Sequence, residues 1–368
     1  MAELFPRGIA QGKAFYDRVK ERKKLKQNID HTIHTVLIAP RRYGKTSLIT
    51  QVLYENKINH IWVDFMTITS KEDMQFRLFQ KVSDLVVRIA PATEKLKKLA
   101  TKYFGALKPE VVLQIPGIAL KLHPSDKFKE EIVETLTSLD NLAKGVNQRL
   151  VVVFDEFQEI LRMDQDATLQ GSIRHAVERA QQITYLFSGS KHRPLRRMFN
   201  GKENPLYSLC EPMELNKIAD EEYVYFINKA AIEKWGQPLD SAVIDGILSY
   251  SDRYPKYVNA LCGAIWMTDL KPTRELVDEL WNSYVLAKKT DVTEDISSLT
   301  LNQRRLLQWL CFAPAEELYS KEKLAMLKMS QSSVQKALEV LLDKAFIVED
   351  DHVYRVLDPV LISYFKMF

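Results

Sequence analysis

The sequence predicts an α/β protein with a mostly parallel sheet, followed by a helical region and a small C-terminal segment of helices and one hairpin. Helical and strand patterns alternate over roughly the first half of the chain, which is typical of parallel sheets with helical crossovers. After about residue 216 the strand patterns give way to amphipathic helices. The last stretch, 296–368, reads as three helices and a two-stranded hairpin, which together are typical of a winged helix.

Composition bounds the class of protein. The chain has 368 residues, 46% hydrophobic and 27% charged, which predicts a soluble globular protein of two or three domains. Its net charge of +4 is compatible with nucleic-acid contact, but a solvated surface of mixed charge is the simpler interpretation. Three widely spaced cysteines favour a reducing compartment. No stretch approaches the ~18–20 apolar residues of a membrane span, so we expect a cytoplasmic protein with no membrane partner.

The strands are predicted from short apolar runs bounded by turn signals. They cover residues 35–39, 60–68, 149–154 and 183–188. Helical spacing predicts helices at 14–27, 45–54, 72–90, 92–104, 128–145 and 171–182. A hairpin is expected at 111–122, where apolar and polar residues alternate around Pro116-Gly117.

Three domains follow from these patterns. They are an α/β domain at 1–216, a helical domain at 217–292 and a winged helix at 293–368. In the last domain, Ser320 and Ser330 are expected to cap the second and third helices.

The run APRRYGKT at 39–46 resembles the phosphate-binding G-x-x-x-x-G-K-[ST] loop, and it lies between a predicted strand and a predicted helix. In such a loop Gly44 lets backbone N–H groups face phosphate, while Lys45 reaches the β- and γ-phosphates and Thr46 binds Mg²⁺. The nucleotide-binding residues predicted here are Pro40, Arg41, Arg42, Tyr43, Gly44, Lys45, Thr46 and Ser47. Ala39 replaces the first glycine, which costs little if its φ is negative.

A second motif, VVVFDEFQEI at 151–160, places two acids at the end of a buried strand. Asp155 is predicted to hold Mg²⁺ and Glu156 to polarise the attacking water. In LFSGS at 186–190, Ser188 and Ser190 are candidates for sensing the γ-phosphate. The nearest match to the guanine-reading N-K-x-D motif starts at Asn216 and fails at its fourth position, Ala219, so ATP is favoured over GTP.

The loop, the acid motif, FSGS and the closing YRVLDP together resemble archaeal and bacterial P-loop ATPases of the STAND group, near the AAA+ ATPases. The resemblance implies a core of five strands in the order 5-1-4-3-2, a lid and a winged helix like that of origin-recognition initiators. It further implies an adenine-proximal box that includes Arg18, a lid proline at Pro255 and an arginine finger at Arg174. A helix-surface salt bridge is an equally weighted interpretation of Arg174.

The sequence departs from the family pattern at three places. Ala39 replaces the loop glycine, Arg253 replaces the glycine of the lid G-x-P motif, and Ser208-Leu209 stands where Gly-Arg often follows P-L-Y. An arginine supplied from that last position cannot operate here.

The leading hypothesis is an ATP-binding and ATP-hydrolysing switch with Mg²⁺, coupled to a protein partner or to homo-oligomer assembly. The alternative is an ATP-regulated winged-helix protein that binds duplex DNA with little turnover. Acidic residues at the end of the predicted recognition helix and at the wing, including Glu339, Asp343 and Asp351, favour a protein contact over DNA. A third hypothesis is a scaffold that binds nucleotide only for stability.

Overall fold

The computed structural model describes residues 4–89, 109–115, 118–122, 128–190, 192–269 and 271–368. The chain forms two compact units, each discontinuous in sequence. The first, called here the sheet unit, consists of Arg18–Ala39 and Lys45–Leu215. The second, called the C-terminal unit, consists of Met1–Asp17, Pro40–Gly44 and Asn216–Phe368. The loop residues 40–44 therefore group with the C-terminal segments and not with the sheet.

The sheet unit is built on five parallel strands. They are β1 (Thr35–Ile38), β2 (Asn59–Asp64), β5 (Leu150–Asp155), β6 (Ile183–Gly189) and β7 (Glu211–Glu214). Their order is β2-β5-β6-β1-β7, and every neighbouring pair is parallel. If these five strands are numbered 1 to 5 along the chain, their order in the sheet is 2-3-4-1-5. Counted from the opposite edge this is 5-1-4-3-2, the order that the resemblance implies. The predicted topology is confirmed.

Helices of the sheet unit lie before and between these strands. They are α1 (Val19–Asp30), α2 (Lys45–Glu55), α3 (Lys71–Ile89), α4 (Phe128–Gly145), α5 (Thr168–Arg179) and α6 (His192–Asn200). All six residues of β5 are buried, as are all seven of β6, because these central strands are covered on both faces. The core between sheet and helices is aliphatic and aromatic, and Phe154, Phe157 and Phe187 lie at its centre.

Several elements of the sheet unit differ from the sequence prediction, and among them α6 was not predicted and α5 begins at Thr168, three residues before its predicted start. The fifth strand, β7, was not identified from sequence, because it is short, carries Pro212 and lies at the sheet edge. The second strand ends at Asp64, whose side chain accepts a hydrogen bond from the Met66 amide at 2.9 Å and starts a 3-10 turn over Phe65–Thr67. The first helix begins at Val19, five residues after its predicted start.

The predicted hairpin is confirmed as an antiparallel pair of β3 (Pro109–Ile115) and β4 (Ile118–Leu122). Its turn at 116–117 and the helix predicted at 92–104 lie outside the described residues.

In the C-terminal unit, five helices precede the winged helix. They are α7 (Asp220–Trp235), α8 (Ser241–Ser251), α9 (Pro255–Ile265), α10 (Arg274–Ala287) and α11 (Lys289–Ser297). Pro255 occupies the first position of α9, where its missing N–H costs no helical hydrogen bond. Near the N-terminus, Phe5 packs against Phe226 and Trp266 of the same unit, so this short segment contributes to the helical core.

The winged helix comprises α12 (Leu301–Phe312), α13 (Lys321–Leu327), α14 (Gln331–Asp343), β8 (Ile347–Asp350) and β9 (Val353–Val356). Ser320 and Ser330 accept hydrogen bonds from the third residue of α13 and α14, so the predicted caps are confirmed. The two strands turn at Asp351-His352, both with positive φ. A further helix that the sequence did not predict, α15 (Pro359–Met367), closes the chain, and Asp358 is its N-cap.

Within the described part of the chain, none of the helices combines the length and apolar character needed to cross a membrane.

Candidate nucleotide site

The phosphate-binding loop has the backbone expected of an anion-binding nest. Arg42 and Gly44 have positive φ, 71° and 86°, whereas the alternate residues Arg41 and Tyr43 do not. Alternation of this kind turns successive N–H groups toward one side, where they bind an anion. Ala39 does not have positive φ and is fully buried, so the missing first glycine is tolerated, as predicted.

Lys45 and Thr46 begin α2, directly after the loop. The Lys45 side chain is buried, and its Nζ donates a hydrogen bond to the Ala39 carbonyl at 2.8 Å. The Thr46 hydroxyl lies 3.4 Å from Oδ2 of Asp155, so the loop-end hydroxyl and the strand-end carboxylate approach each other within the sheet unit. A helix N-terminus that begins with a lysine and a hydroxyl is suited to polyphosphate and its magnesium.

The acid pair lies at the carboxyl end of β5, the edge where parallel sheets bind ligands. Asp155 accepts hydrogen bonds from the Ser188 hydroxyl and, at 3.0 Å, from the Glu156 amide. Burial raises the pKa of Asp155 above its ordinary value, with a further contribution from the charge of Glu156, while the Ser188 hydrogen bond opposes the shift.

Glu156 is held by three hydrogen bonds to its carboxylate Oε2. The Ser190 hydroxyl donates at 2.7 Å, the Ser190 amide at 3.3 Å and Nε2 of Gln158 at 2.6 Å. The Glu156 backbone is left-handed, with φ of 47°, which is uncommon for a residue with a side chain. Its carboxylate is therefore fixed by its neighbours at the end of the sheet.

The two predicted serines lie where the sequence placed them, at the end of β6, and each contacts one member of the acid pair. Ser188 is fully buried. Contact of the serines with a γ-phosphate remains a prediction.

Sequence reasoning assigned no role to Gln158 or Gly189. Gln158 is buried in the 3-10 turn after β5, and its Nε2 binds Glu156. A Cβ atom built on Gly189 would lie 2.0 Å from Oε1 of Gln158, so a glycine at this position leaves room for the glutamine. The signal available in the sequence was a polar amide two residues after Glu156, between Phe157 and Glu159.

Two predicted residues of the sheet unit have partners of their own. Arg18 caps α1 in a left-handed conformation and pairs with Glu21 at 2.9 Å. Arg174 donates to Glu178 at 2.7 Å and to the Pro205 carbonyl. The helix-surface salt bridge is thus present, and the arginine-finger role stays a prediction.

In the C-terminal unit, the lid departure Arg253-Tyr254-Pro255 is explained by an ion pair. Arg253 contacts both carboxylate oxygens of Asp220, at 2.6 and 2.7 Å. The backbone carbonyl of Arg253 also accepts a hydrogen bond from the Tyr223 hydroxyl at 2.9 Å. The arginine that replaces the motif glycine is therefore engaged with α7, inside the C-terminal unit.

Comparison with known structures agrees with the fold. The chain is similar to the Walker-type ATPase PABY2304 of Pyrococcus abyssi, with a TM-score of 0.73 and 17% identity over 99% of both chains. It is also similar to the Aeropyrum pernix ORC2 protein. Its ADPNP–ADP complexes give a TM-score of 0.58 at 14% identity over 99% of this chain and 95% of the other. Its ADP form gives 0.53 at 14% identity over 100% and 97%.

A family model described as a probable winged helix domain matches residues 293–367. No curated protein matches the chain. The chain therefore shares the fold of the Walker-type ATPase and ORC2 structures, and it carries a winged helix domain at residues 293–367.

Proposed function

We propose that this protein binds ATP with Mg²⁺, hydrolyses it, and works as a molecular switch of the STAND and AAA+ type. The observation that carries the proposal is the hydrogen-bonded set at the ends of β5 and β6. Two carboxylates, Asp155 and Glu156, are each held by a serine, and the first lies 3.4 Å from the Thr46 hydroxyl. A structural role alone does not require two adjacent acids at this buried edge.

The chemistry assigned to each residue follows from its position. Lys45 neutralises charge that develops on the β- and γ-phosphates, and the loop N–H groups bind the phosphate oxygens. Glu156 orients and polarises the attacking water, for which a carboxylate fixed by three hydrogen bonds is well prepared.

Thr46 and Asp155 fit a magnesium site because both offer oxygen atoms, the ligands that Mg²⁺ prefers. Among the described residues there is no group of three or more His, Cys, Asp or Glu side chains that could hold a metal by themselves. Phosphate oxygens and water would therefore complete the coordination, as is usual for Mg²⁺ in ATPases. When bound, the ion neutralises charge on the transferring phosphoryl group.

The binding part of the proposal is tested with Lys45→Ala. We expect isothermal titration with ATP and Mg²⁺ to show binding to the wild type and at least about a tenfold loss in the variant, since a phosphate contact is removed. Lys20→Ala is the matched control, because Lys20 is an exposed lysine of α1. Equal affinity in all three proteins would contradict the site.

The hydrolysis part is tested with Glu156→Gln, which keeps the size of the side chain and removes its charge. We expect turnover to fall by at least about a hundredfold while ATP affinity is retained, because general-base assistance contributes on that scale. Unchanged turnover would remove Glu156 from the mechanism and favour the scaffold alternative.

The proposal includes assembly of copies of this chain, in which Arg174 would act as an arginine finger on a neighbouring copy. A finger acting on a neighbouring copy would have to exchange its contact with Glu178 for a phosphate. We expect Arg174→Ala to lower turnover only at protein concentrations at which copies associate, while a concentration-independent rate equal to wild type would leave Arg174 a surface ion pair.

A further inference from the structure

Arg42 occupies a position of the phosphate-binding loop that a residue with a side chain does not adopt freely. Its φ of 71° is left-handed, a conformation in which Cβ crowds the following carbonyl. Gly44 has the same sign of φ at no such cost. Something must therefore hold Arg42, because the loop keeps its nest only if this residue stays left-handed.

The side chain of Arg42 is held inside the C-terminal unit. Its Nη1 donates to the Tyr257 hydroxyl and to Oδ2 of Asp358. The guanidinium carbon lies 5.1 Å from the centroid of the Tyr257 ring, within the range of a cation–π contact. The Tyr257 hydroxyl in turn donates to Oδ1 of Asp358 at 2.6 Å, which closes a three-membered cluster.

Both partners are themselves fixed by secondary structure. Tyr257 is buried in the first turn of α9. Asp358 caps α15 by accepting a hydrogen bond from the Val360 amide at 3.0 Å. Although burial acts to lower it, the charge of Asp358 raises the pKa of Arg42, which keeps the guanidinium charged.

We propose that Tyr257 and Asp358 are positioning residues of the phosphate-binding loop: by holding the Arg42 side chain they keep its backbone in the nest that receives the phosphates. The proposal rests on the proposed function, because it assigns the loop its phosphate ligand. It places one determinant of nucleotide affinity at the start of the helix that closes the winged-helix region, 316 positions from Arg42 in sequence.

Two consequences follow. The nest binds phosphates that ADP and ATP share, so the cluster acts equally on both nucleotides. By linkage, a nucleotide in the loop must strengthen the hold of the loop on Asp358 by the same factor by which Asp358 strengthens nucleotide binding. The cluster is therefore a direct connection between nucleotide occupancy and the C-terminal helix.

The test is a mutant cycle between Arg42 and Asp358. Asp358→Asn keeps the helix cap, since asparagine caps as well as aspartate, and removes the charge that holds Arg42. We expect the variant to bind ADP and ATP about tenfold more weakly, a loss typical of one charged hydrogen bond. Tyr257→Phe should weaken both nucleotides in the same direction.

Replacing Arg42 by glycine separates positioning from general stability. Glycine adopts the left-handed conformation without an anchor, so Asp358→Asn should have no further effect on affinity in the Arg42→Gly background. Arg42→Asn provides a second background, because asparagine also tolerates this conformation. Asp351→Asn, an exposed acid at the wing turn, is the charge-matched control.

Hydrogen exchange of the amides of residues 41–44 in the nucleotide-free protein gives a readout that does not need ATP binding. We expect faster exchange in Asp358→Asn than in wild type, and no dependence on Asp358 in the Arg42→Gly protein. If the wild type binds no nucleotide but exchange responds in this way, the proposed function fails while the anchoring stands. An Asp358→Asn protein with unchanged exchange, or with an equal loss in the Arg42→Gly background, overturns the anchoring.

Discussion

At the scale of single residues, the site depends on backbone conformations that side chains disfavour. Arg42 and Glu156 are both left-handed, at φ of 71° and 47°. Each such residue costs on the order of 1–2 kcal/mol, and it persists because surrounding contacts determine it. For Glu156 those contacts are Ser190 and Gln158. The strain is thus located at the residues to which we assign phosphate and water.

The raised pKa of Asp155 predicts that its ionised carboxylate lowers the free energy of unfolding. Burial raises the pKa above its ordinary value near 3.8, so the folded state binds more protons than the unfolded state once the pH exceeds that value. The free energy of unfolding contributed by this group therefore falls as pH rises through the window between the unfolded and the folded pKa. We expect Asp155→Asn to raise the melting temperature at pH 7 by a few degrees while abolishing turnover.

Calorimetry across a range of pH tests whether the ionised Asp155 carboxylate destabilises the fold. The difference in melting temperature between Asp155→Asn and wild type should shrink as the pH falls through the unfolded value near 3.8, because below that pH the carboxyl is protonated in both states. Asp84→Asn, at an exposed aspartate of α3, is the control. A variant less stable than wild type at pH 7 would mean that Asp155 is stabilised by its partners and not strained by burial.

Gly189 gives a second prediction at this scale. An alanine Cβ would lie 2.0 Å from Oε1 of Gln158 and 3.1 Å from Leu195, so Gly189→Ala must displace the amide that holds Glu156. We expect turnover to fall at least about tenfold, with ATP affinity less affected, because general-base geometry is lost. In a Gln158→Ala background the same change should cost much less, and steady-state kinetics of the four proteins measure the coupling.

At the scale of elements, the sequence could predict the features that depend on local pattern. The apolar runs of β1, β5 and β6 predicted the sheet, and the strand–loop–helix context of Gly44-Lys45-Thr46 predicted the loop to which we assign phosphate binding. The serine caps of α13 and α14 were also predicted, because a cap is a contact over three residues.

The remaining features depend on contacts between distant parts of the chain. The four residues of β7 form a strand only because they pair with β1 at the sheet edge. The restraint of Glu156 by Ser190 and that of Arg42 by Asp358 join residues 34 and 316 positions apart. No periodicity or local spacing in one sequence carries such pairings, so these parts of the site could not be predicted.

A helix of the sheet unit offers a stability prediction that serves as a control for Gly189. Gly171 lies inside α5, and a Cβ atom there would meet nothing within 4 Å. We expect Gly171→Ala to stabilise the protein by about 0.5–1 kcal/mol, because alanine loses less backbone entropy in a helix. Chemical denaturation measures the change, and turnover should be unaltered. Destabilisation would mean that this part of α5 is not helical in solution.

At the scale of the whole molecule, the DNA alternative can be judged from the exposed face of α14. Its exposed side chains include Gln331, Gln335 and Lys336, but also Glu339 and Asp343, and the wing strand adds exposed Glu349 and Asp350. DNA affinity depends on cations that neutralise phosphates, and this face carries more acids than bases. The excess of acids makes this face poorly suited to the phosphates of duplex DNA.

We therefore expect the full chain to show no salt-sensitive binding to duplex DNA in a fluorescence anisotropy titration. A Glu349→Lys, Asp350→Lys variant should gain weak, salt-dependent binding, which would show that the assay detects this surface. Strong binding by the wild type, lost above moderate salt, would support the alternative of an ATP-regulated DNA-binding protein. Mass measurement with ADP, with ATP and with DNA then separates assembly from both.

The grouping of Pro40–Gly44 with the C-terminal unit bears on how this protein can be dissected. A fragment ending at residue 216 would retain every strand of the five-stranded sheet and the acid pair, yet it would lack both side chains that grip Arg42. Such a truncation would keep the sequence motif but lose the contacts that hold Arg42 in its left-handed conformation. Measurements on the separated fragments would then underestimate nucleotide affinity. A domain boundary placed at residue 216 would separate Arg42 from the two residues that hold it.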